Sequence, residues 1–328
     1  MAGELEAAMT PPVSAGPWLR PSRDTPAEPR WGHRDGLQLG LAPLRGPRGL
    51  LRIYAPYLGH ARDRLVNFVA VEPMVDGQAV RGYSELERSS LDDVQGKRMW
   101  AADMPLAEPQ PATEPGAGVV DEASGVERLT VYVMCEPFDS GAHVYIRVRF
   151  HSDRPHEVQL ATFCHPGSSR LDRCILTATM GNFARLRTLH LREGSITPAE
   201  IWPGFTGPDF TEHAKFGLDL LEREEDGTAV IWAEPDETDH EAASYSPGTA
   251  QHWRYHGRRA RQTWIAHDPD PHLVALVNAR AHYWASTSPI PGGPSFENFE
   301  LTEPFRQGRE FTFQVTPMSG GMWTATSA

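Results

Sequence analysis

The sequence predicts an all-β protein, a sandwich of two large antiparallel sheets with few and short helices. Three observations predict it. Many segments alternate apolar and polar residues, the period of two that marks half-buried strands. Proline, at 29 of 328 residues, is too frequent for long helices. Hydrophobic residues at 40% and charged residues at 23% suit a folded chain rather than a disordered one.

Residues 1–45 are rich in Pro, Gly, Ala and Arg without a clear period, which predicts an irregular N-terminal arm. The remainder, 46–328, is then one sandwich domain. Strands are predicted at 49–55 and 64–72. The stretch from about Pro105 to Ser124, through AEPQPATEPGAG, predicts a long surface loop. Val126–Glu136 alternates with Leu129, Val131, Val133 and Cys135 inward. In His143–His151, Val144, Ile146, Val148 and Phe150 share one face; His143, Tyr145, Arg147, Arg149 and His151 share the other. Further strands are predicted at 157–163, 171–180, 183–191, 227–233, 260–266, 295–301 and 309–316. Asp209–Leu221 is predicted as a helix, with Asp209 as cap and Phe216 and Leu220 at i, i+4. In Leu273–Trp284 one face is apolar, and the other turns polar and aromatic through Asn278, Arg280, His282 and Trp284.

The formal net charge of -12 argues against binding nucleic acid or an anionic membrane through the global field. No apolar run reaches the roughly 18 residues of a membrane span. The first residues lack the basic-then-apolar layout of a signal peptide, and Cys135, Cys164 and Cys174 fit neither a disulfide framework nor a zinc motif. Together these predict a cytoplasmic protein with three buried thiols. None of the 14 histidines has metal-ligand spacing, and no Walker loop, G-x-G-x-x-G or G-x-S-x-G is present, so neither a metal nor a cofactor is expected.

What chemistry the sequence carries lies on strand faces. Arg147, Arg149, Arg280, His282 and Trp284 are the residue types a sugar site uses: planar donors for hydroxyls and carboxylates, and an aromatic surface for the apolar side of a pyranose. A solvated outer face is the plainer alternative. Near the C-terminus a Pro/Gly-rich loop leads through Gly292-Gly293 into a strand bearing Glu297 and Glu300. Alternation groups Glu297 with Phe299 and Leu301, where burial would raise its pKa toward neutrality; pairing with an arginine at a sheet end is the alternative. Glu85 and Glu87, two apart in Arg81-Gly-Tyr83-Ser84-Glu85-Leu-Glu87, would share a strand face with Tyr83. They could be a glycosidase acid and base if about 5–9 Å separates them, or plain surface glutamates.

The string Gly292-Gly293-Pro-Ser-Phe-Glu297, with the turn Gln307-Gly308-Arg-Glu310-Phe311, resembles the aldose 1-epimerase (galactose mutarotase-like) superfamily. There a glycine-rich loop leads into a late strand bearing the catalytic glutamate. Leu160-Ala-Thr-Phe-Cys-His165-Pro-Gly resembles the element that bears that family's acid histidine. The family's Asn-His-Ser/Thr-Tyr-Phe-Asn string is absent around His165, and Asn298-Phe299-Glu300 replaces the proline-rich continuation after the glutamate. The resemblance implies a β-supersandwich, with Glu297 as base and His165 as acid.

The expectation is therefore a carbohydrate-active enzyme acting on a small sugar or glycoside by Glu297/His165 acid–base chemistry, as a mutarotase, epimerase or glycosidase. Arg147, Arg149, Arg280, His282 and Trp284 would bind substrate, with Glu85 and Glu87 as further candidates. A lyase acting on a uronate-containing saccharide is the alternative, since arginines can neutralise its carboxylate; a non-catalytic sugar-binding protein is a third.

Overall fold

The structure is a computed structural model. It describes residues 16–21, 29–41, 48–59, 65–105, 115–179, 186–236, 258–282, 287, 289–290 and 292–318. In chain order the strands are β1 (Trp18–Leu19), β2 (Arg30–His33), β3 (Gln38–Leu41), β4 (Leu50–Tyr54), β5 (Leu65–Val75), β6 (Met99–Ala102) and β7 (Val119–Ala123). There follow β8 (Val126–Cys135), β9 (Val144–His151), β10 (Glu157–Cys164), β11 (Leu171–Thr179), β12 (Leu186–Leu191), β13 (Gly194–Ile196) and β14 (Ala214–Gly217). The last are β15 (Glu222–Arg223), β16 (Ala229–Pro235), β17 (Ala260–Ala266), β18 (Val274–Arg280), β19 (Ser295–Thr302) and β20 (Arg309–Pro317). They form two large antiparallel sheets, of nine and eleven strands, so the protein is all-β as the alternation predicts. The α-helix among the described residues is a single turn, Pro198–Ile201 (α1). Pro198 sits at its first position, and Glu200 accepts a hydrogen bond from the Thr197 N–H at 2.8 Å.

The chain divides into two compact units. The first comprises Met1–Tyr54, Val69–Leu176 and Pro304–Thr312; the second comprises Ala55–Phe68, Thr177–Glu303 and Phe313–Ala328. Strands β5, β11 and β20 each begin in one unit and end in the other.

In the first unit, β1 to β4 pair in sequence as antiparallel neighbours. Strands β6, β8, β9 and β10 lie side by side, with β7 also on β8. The alternation in β9 is realised residue by residue: Val144, Ile146, Val148 and Phe150 are fully buried, and their neighbours are half-buried. Burying each such side chain contributes about 1.5–3 kcal/mol. Trp31 is also fully buried, and its Nε1–H donates to the Gly116 carbonyl at 3.0 Å, so its polar atom goes in satisfied.

In the second unit, β18 lies between β14 and β19, and the end of β11 pairs with β19. Strand β16 lies between β12 and β17, with β13 on β12 and β15 on β16. Trp264 stands in its core, 4.8 Å from the Phe313 ring, and donates to the Phe299 carbonyl at 2.8 Å.

Three expectations are corrected. Asp209–Leu221 is not a helix: Ala214–Gly217 is an edge strand on β18, followed by a 3-10 turn at Leu218–Leu220. Gly217 weakens a helix there, and the apolar pair does not share a buried face, since Phe216 is buried and Leu220 exposed. Residues 1–45, expected to be an irregular arm, contribute β1 to β3 and bury Trp18, Trp31, Leu37 and Leu39. Finally, β7 forms inside the stretch expected to be a loop, as an exposed ribbon on β8.

Candidate functional site

Glu297 lies on β19 in the second unit. On a regular strand it would alternate with Phe299 and Leu301. Instead Val277 pairs with Phe299 while Ala279 pairs with Phe296, so β19 carries one extra residue. This bulge puts Phe296 and Phe299 on one face and moves Glu297 to the other, that of Arg280, which pairs with Ser295. The Asn298 N–H donates to Asn278 Oδ1 at 3.0 Å across the bulge. Glu297 is 1% exposed, and neither carboxyl oxygen has a hydrogen-bond partner among the described residues. Burial pushes its pKa up to about 7, against the pull of the Arg280 charge. Buried polar groups are nearly always hydrogen-bonded. By contrast Glu300, on the same face, accepts a hydrogen bond from Thr177 Oγ1.

The loop before Glu297 is clamped by Arg187 of β12, a residue the sequence reading did not single out. Its Nη2 donates to the Gly293 carbonyl at 2.8 Å, its Nε to the Pro294 carbonyl at 3.1 Å, and its Nη1 to Asp236 at 3.0 Å. Gly292 and Gly293 have φ of 83° and 99°, and a Cβ on Gly292 would lie 2.4 Å from Arg187 Nη1. The guanidinium thus needs a glycine beside it. Arg280 lies with its guanidinium 5.0 Å from the Phe210 ring centroid. His282 is half-buried, and its Nδ1 makes no hydrogen bond. Trp284 lies outside the described residues.

His165 belongs to the first unit. The registers of β6, β8, β9 and β10 build one sheet face in rows. One row is Trp100, Met134, Tyr145 and Phe163; the next is Ala102, Tyr132, Arg147 and Ala161; a third is Thr130, Arg149 and Gln159. One step beyond the strands, the His165 N–H donates to the His143 carbonyl at 2.9 Å, which sets the two histidines opposite each other. Their rings stand 4.2 Å apart, and Tyr145 is 4.7 Å from His165. Burial holds His165 down to about 4, with His143 adding to the effect, so it is a neutral imidazole at neutral pH. An imidazolium acid would be scarce there. Arg147 pairs with Glu310 at 3.0 Å, and Arg149 Nε donates to Thr130 Oγ1 at 3.3 Å.

Glu85 and Glu87 are not on a strand. They lie in a turn fixed by buried Ser84, which donates to the Gly49 carbonyl and accepts from the Val71 N–H. Glu87 is paired with buried Lys97 at 3.2 Å and accepts from the Asp139 N–H at 2.9 Å, a structural role. Glu85 is half-buried, one carboxyl oxygen has no partner within the protein, and burial raises its pKa.

Of the predicted site residues, the second unit thus holds Glu297, Arg280 and His282, and the first holds His165, Arg147, Arg149, Glu85 and Glu87. The sequence groups His143 with Arg147 and Arg149 on one strand face, but it does not show Trp100, Tyr132 and Phe163 as their companions. Tyr132 and Phe163 were legible as aromatics at outward positions of alternating strands.

Among the described residues no helix is long and apolar enough to cross a membrane, and no group of three or more His, Cys, Asp or Glu is placed to hold a metal ion. Comparison with protein-family models, with curated proteins and with solved structures gave no match.

Proposed function

We propose that the protein is a carbohydrate-active enzyme in which Glu297 moves a proton at a saccharide oxygen. The observation that supports this is the Glu297 carboxyl, fully buried, without a hydrogen-bond partner among the described residues, and raised to about 7. A carboxyl at about 7 is present in both protonation states at neutral pH, the condition for efficient general acid–base catalysis. A purely structural carboxylate would be paired, as Glu300 and Glu87 are. Arg187 supports the reading by fixing the loop that leads to Glu297.

In a mutarotase or epimerase, ionised Glu297 takes the proton of the anomeric hydroxyl as the bond from the anomeric carbon to the ring oxygen breaks, and a water molecule gives the ring oxygen its proton. In a glycosidase, protonated Glu297 gives its proton to the leaving oxygen. His165, the acid that the resemblance to the mutarotase-like superfamily implies, is held neutral by burial, and these steps do not use it.

A second reading is elimination on a uronate. The Arg280 charge close to Glu297 favours it, because a guanidinium can neutralise a substrate carboxylate while the glutamate removes the adjacent proton. Small sugars, glycosides and uronates, screened with product analysis, separate these. Anomer exchange marks a mutarotase, new reducing ends a hydrolase, an ultraviolet-absorbing unsaturated product a lyase. Whichever activity is found, Glu297→Gln should abolish it with the fold intact. A Gln variant as active as the parent would remove Glu297 from the chemistry.

A further inference from the structure

The β6–β8–β9–β10 face of the first unit has a composition that packing alone does not account for. Around Tyr145 stand three buried ring nitrogens with no hydrogen-bond partner among the described residues: Trp100 Nε1, His143 Nε2 and His165 Nε2. Trp100 and His165 are 8% and 4% exposed, so water in bulk does not serve them. Leaving buried polar atoms unsatisfied is costly. The Trp100 indole donates, while neutral His143, whose other ring nitrogen serves the Cys135 backbone, offers Nε2 as an acceptor, so the three point to a ligand that both donates and accepts. Beside them the face is aromatic and only half-buried, through Tyr132, Tyr145 and Phe163. One row further on, Arg147 and Arg149 stand two residues apart on the same side. Glu310 neutralises one of these guanidinium charges, while Arg149 meets only the Thr130 hydroxyl in hydrogen bonding. These rows therefore hold two guanidinium charges against the one carboxylate of Glu310, with Asp121 also acting on Arg149, on a chain of net charge -12.

We propose that this face binds a short acidic oligosaccharide, with ring nitrogens of Trp100, His143 and His165 on its hydroxyls and the Arg147–Arg149 pair on a carboxylate. The aromatic rows give the apolar floor, hydroxyl groups can both donate and accept, and a planar guanidinium matches a carboxylate. The length follows from the strand. His143 and Arg147 are four residues apart, about 13 Å at roughly 3.3 Å per residue, which is more than one sugar ring. A chain of two or three uronic acid units fits this span. The inference shares with the function proposed above only the saccharide class, and its readout is binding, independent of turnover.

The test uses the full chain labelled with ¹⁵N at tryptophan, with the Trp100 indole signal assigned through Trp100→Phe. It is titrated with trigalacturonate, galacturonate, a neutral trisaccharide, acetate and inorganic phosphate. Trigalacturonate should shift the Trp100 indole signal and bind at least about tenfold more tightly than either the monomer or the neutral trisaccharide. Arg149→Gln, at a half-exposed position where folding can be checked by melting, should remove the preference for the acidic chain. Equal affinity for neutral and acidic trisaccharides would overturn the proposal. So would saturation by acetate or phosphate alone at the same affinity, or no response of Trp100 to any saccharide. Failure here leaves the role of Glu297 standing, and an inactive Glu297→Gln variant leaves this site standing.

Discussion

Two regions bury carboxylates in opposite ways. In the turn around Ser84 in the first unit, Lys97, Glu136 and Glu72 each have a buried or half-buried polar counterpart. Lys97, 1% exposed, reaches Glu87 at 3.2 Å, Asp139 at 2.9 Å and the Arg88 carbonyl at 2.9 Å. Buried Glu136 accepts from Ser90 and from the Arg98 N–H, and Glu72 pairs with Arg81 at 2.6 Å. At the start of β19 in the second unit, Glu297 is as deeply buried and has no hydrogen-bond partner among the described residues. A buried ion network that satisfies itself holds a turn in place. A buried carboxyl left unsatisfied destabilises the fold, and its retention is explained by use. Sequence alone offers Glu297 as the base and Glu85 and Glu87 as further candidates, and shows the partners of none of them.

The largest expected effect separates the two regions by turnover. Glu297→Gln keeps size and cannot carry a proton, so activity on the substrate found by screening should fall by about 10²–10⁴-fold. Glu87→Gln should change turnover little and lower the melting temperature instead.

The next effect is one of stability. In the unfolded chain Glu297 titrates near 4.5 and in the folded chain near 7. Between those values the folded state holds the proton that the unfolded state has lost, so stability falls as pH rises through this window, by about 3 kcal/mol in all. Glu297→Gln escapes this. Its melting temperature should exceed that of the parent at pH 8 and approach it at pH 4; the same gap at both values would contradict the raised pKa. Lys97→Met should act the other way, destabilising by about 3 kcal/mol in denaturant melts, because it strands Glu87 in a buried site. The exposed Asp139 keeps the effect at the low end of what breaking a buried pair costs.

Smaller effects sharpen the picture of the supports. Arg187→Ala frees the Gly293 and Pro294 carbonyls. It should cost about 2 kcal/mol of stability, on the scale of hydrogen bonds to a charged group, and reduce turnover about tenfold. Normal turnover in a folded Arg187→Ala protein would show that the clamp does not position Glu297. His165, held at about 4 when folded against an ordinary 6.5, binds its proton more readily unfolded. Stability from this group is therefore present above about 6.5 and lost as pH falls toward 4. His165→Gln should flatten that acid limb of the melting curve.

The strands were legible because alternation is local. Strand β17 spans 260–266 as read, and β9 and β8 differ from the reading by one residue. The N-terminal strands were missed because Arg30-Trp-Gly-His33 and Trp18–Leu19 are too short to show a period. The Asp209–Leu221 reading failed because a four-residue edge strand followed by a turn also places Phe216 and Leu220 four apart. Within the site, the burial of Glu297 was readable, but its face was not. The bulge depends on how β19 pairs with β18, which no local pattern encodes. Arg187 was invisible for a related reason: it sits over 100 residues before the loop it holds. What pointed to it was the Gly292-Gly293 pair, a sign that some group passes close to the backbone.

The central claim is that Glu297 exchanges its proton near neutrality. The most direct measurement is a carboxyl ¹³C titration of the protein labelled at glutamate, with the Glu297 signal assigned by its loss in Glu297→Gln. The account predicts one glutamate signal, that of Glu297, titrating at about 7. A Glu297 signal that titrates near the ordinary 4.5 would contradict it and leave the carboxyl without its catalytic role.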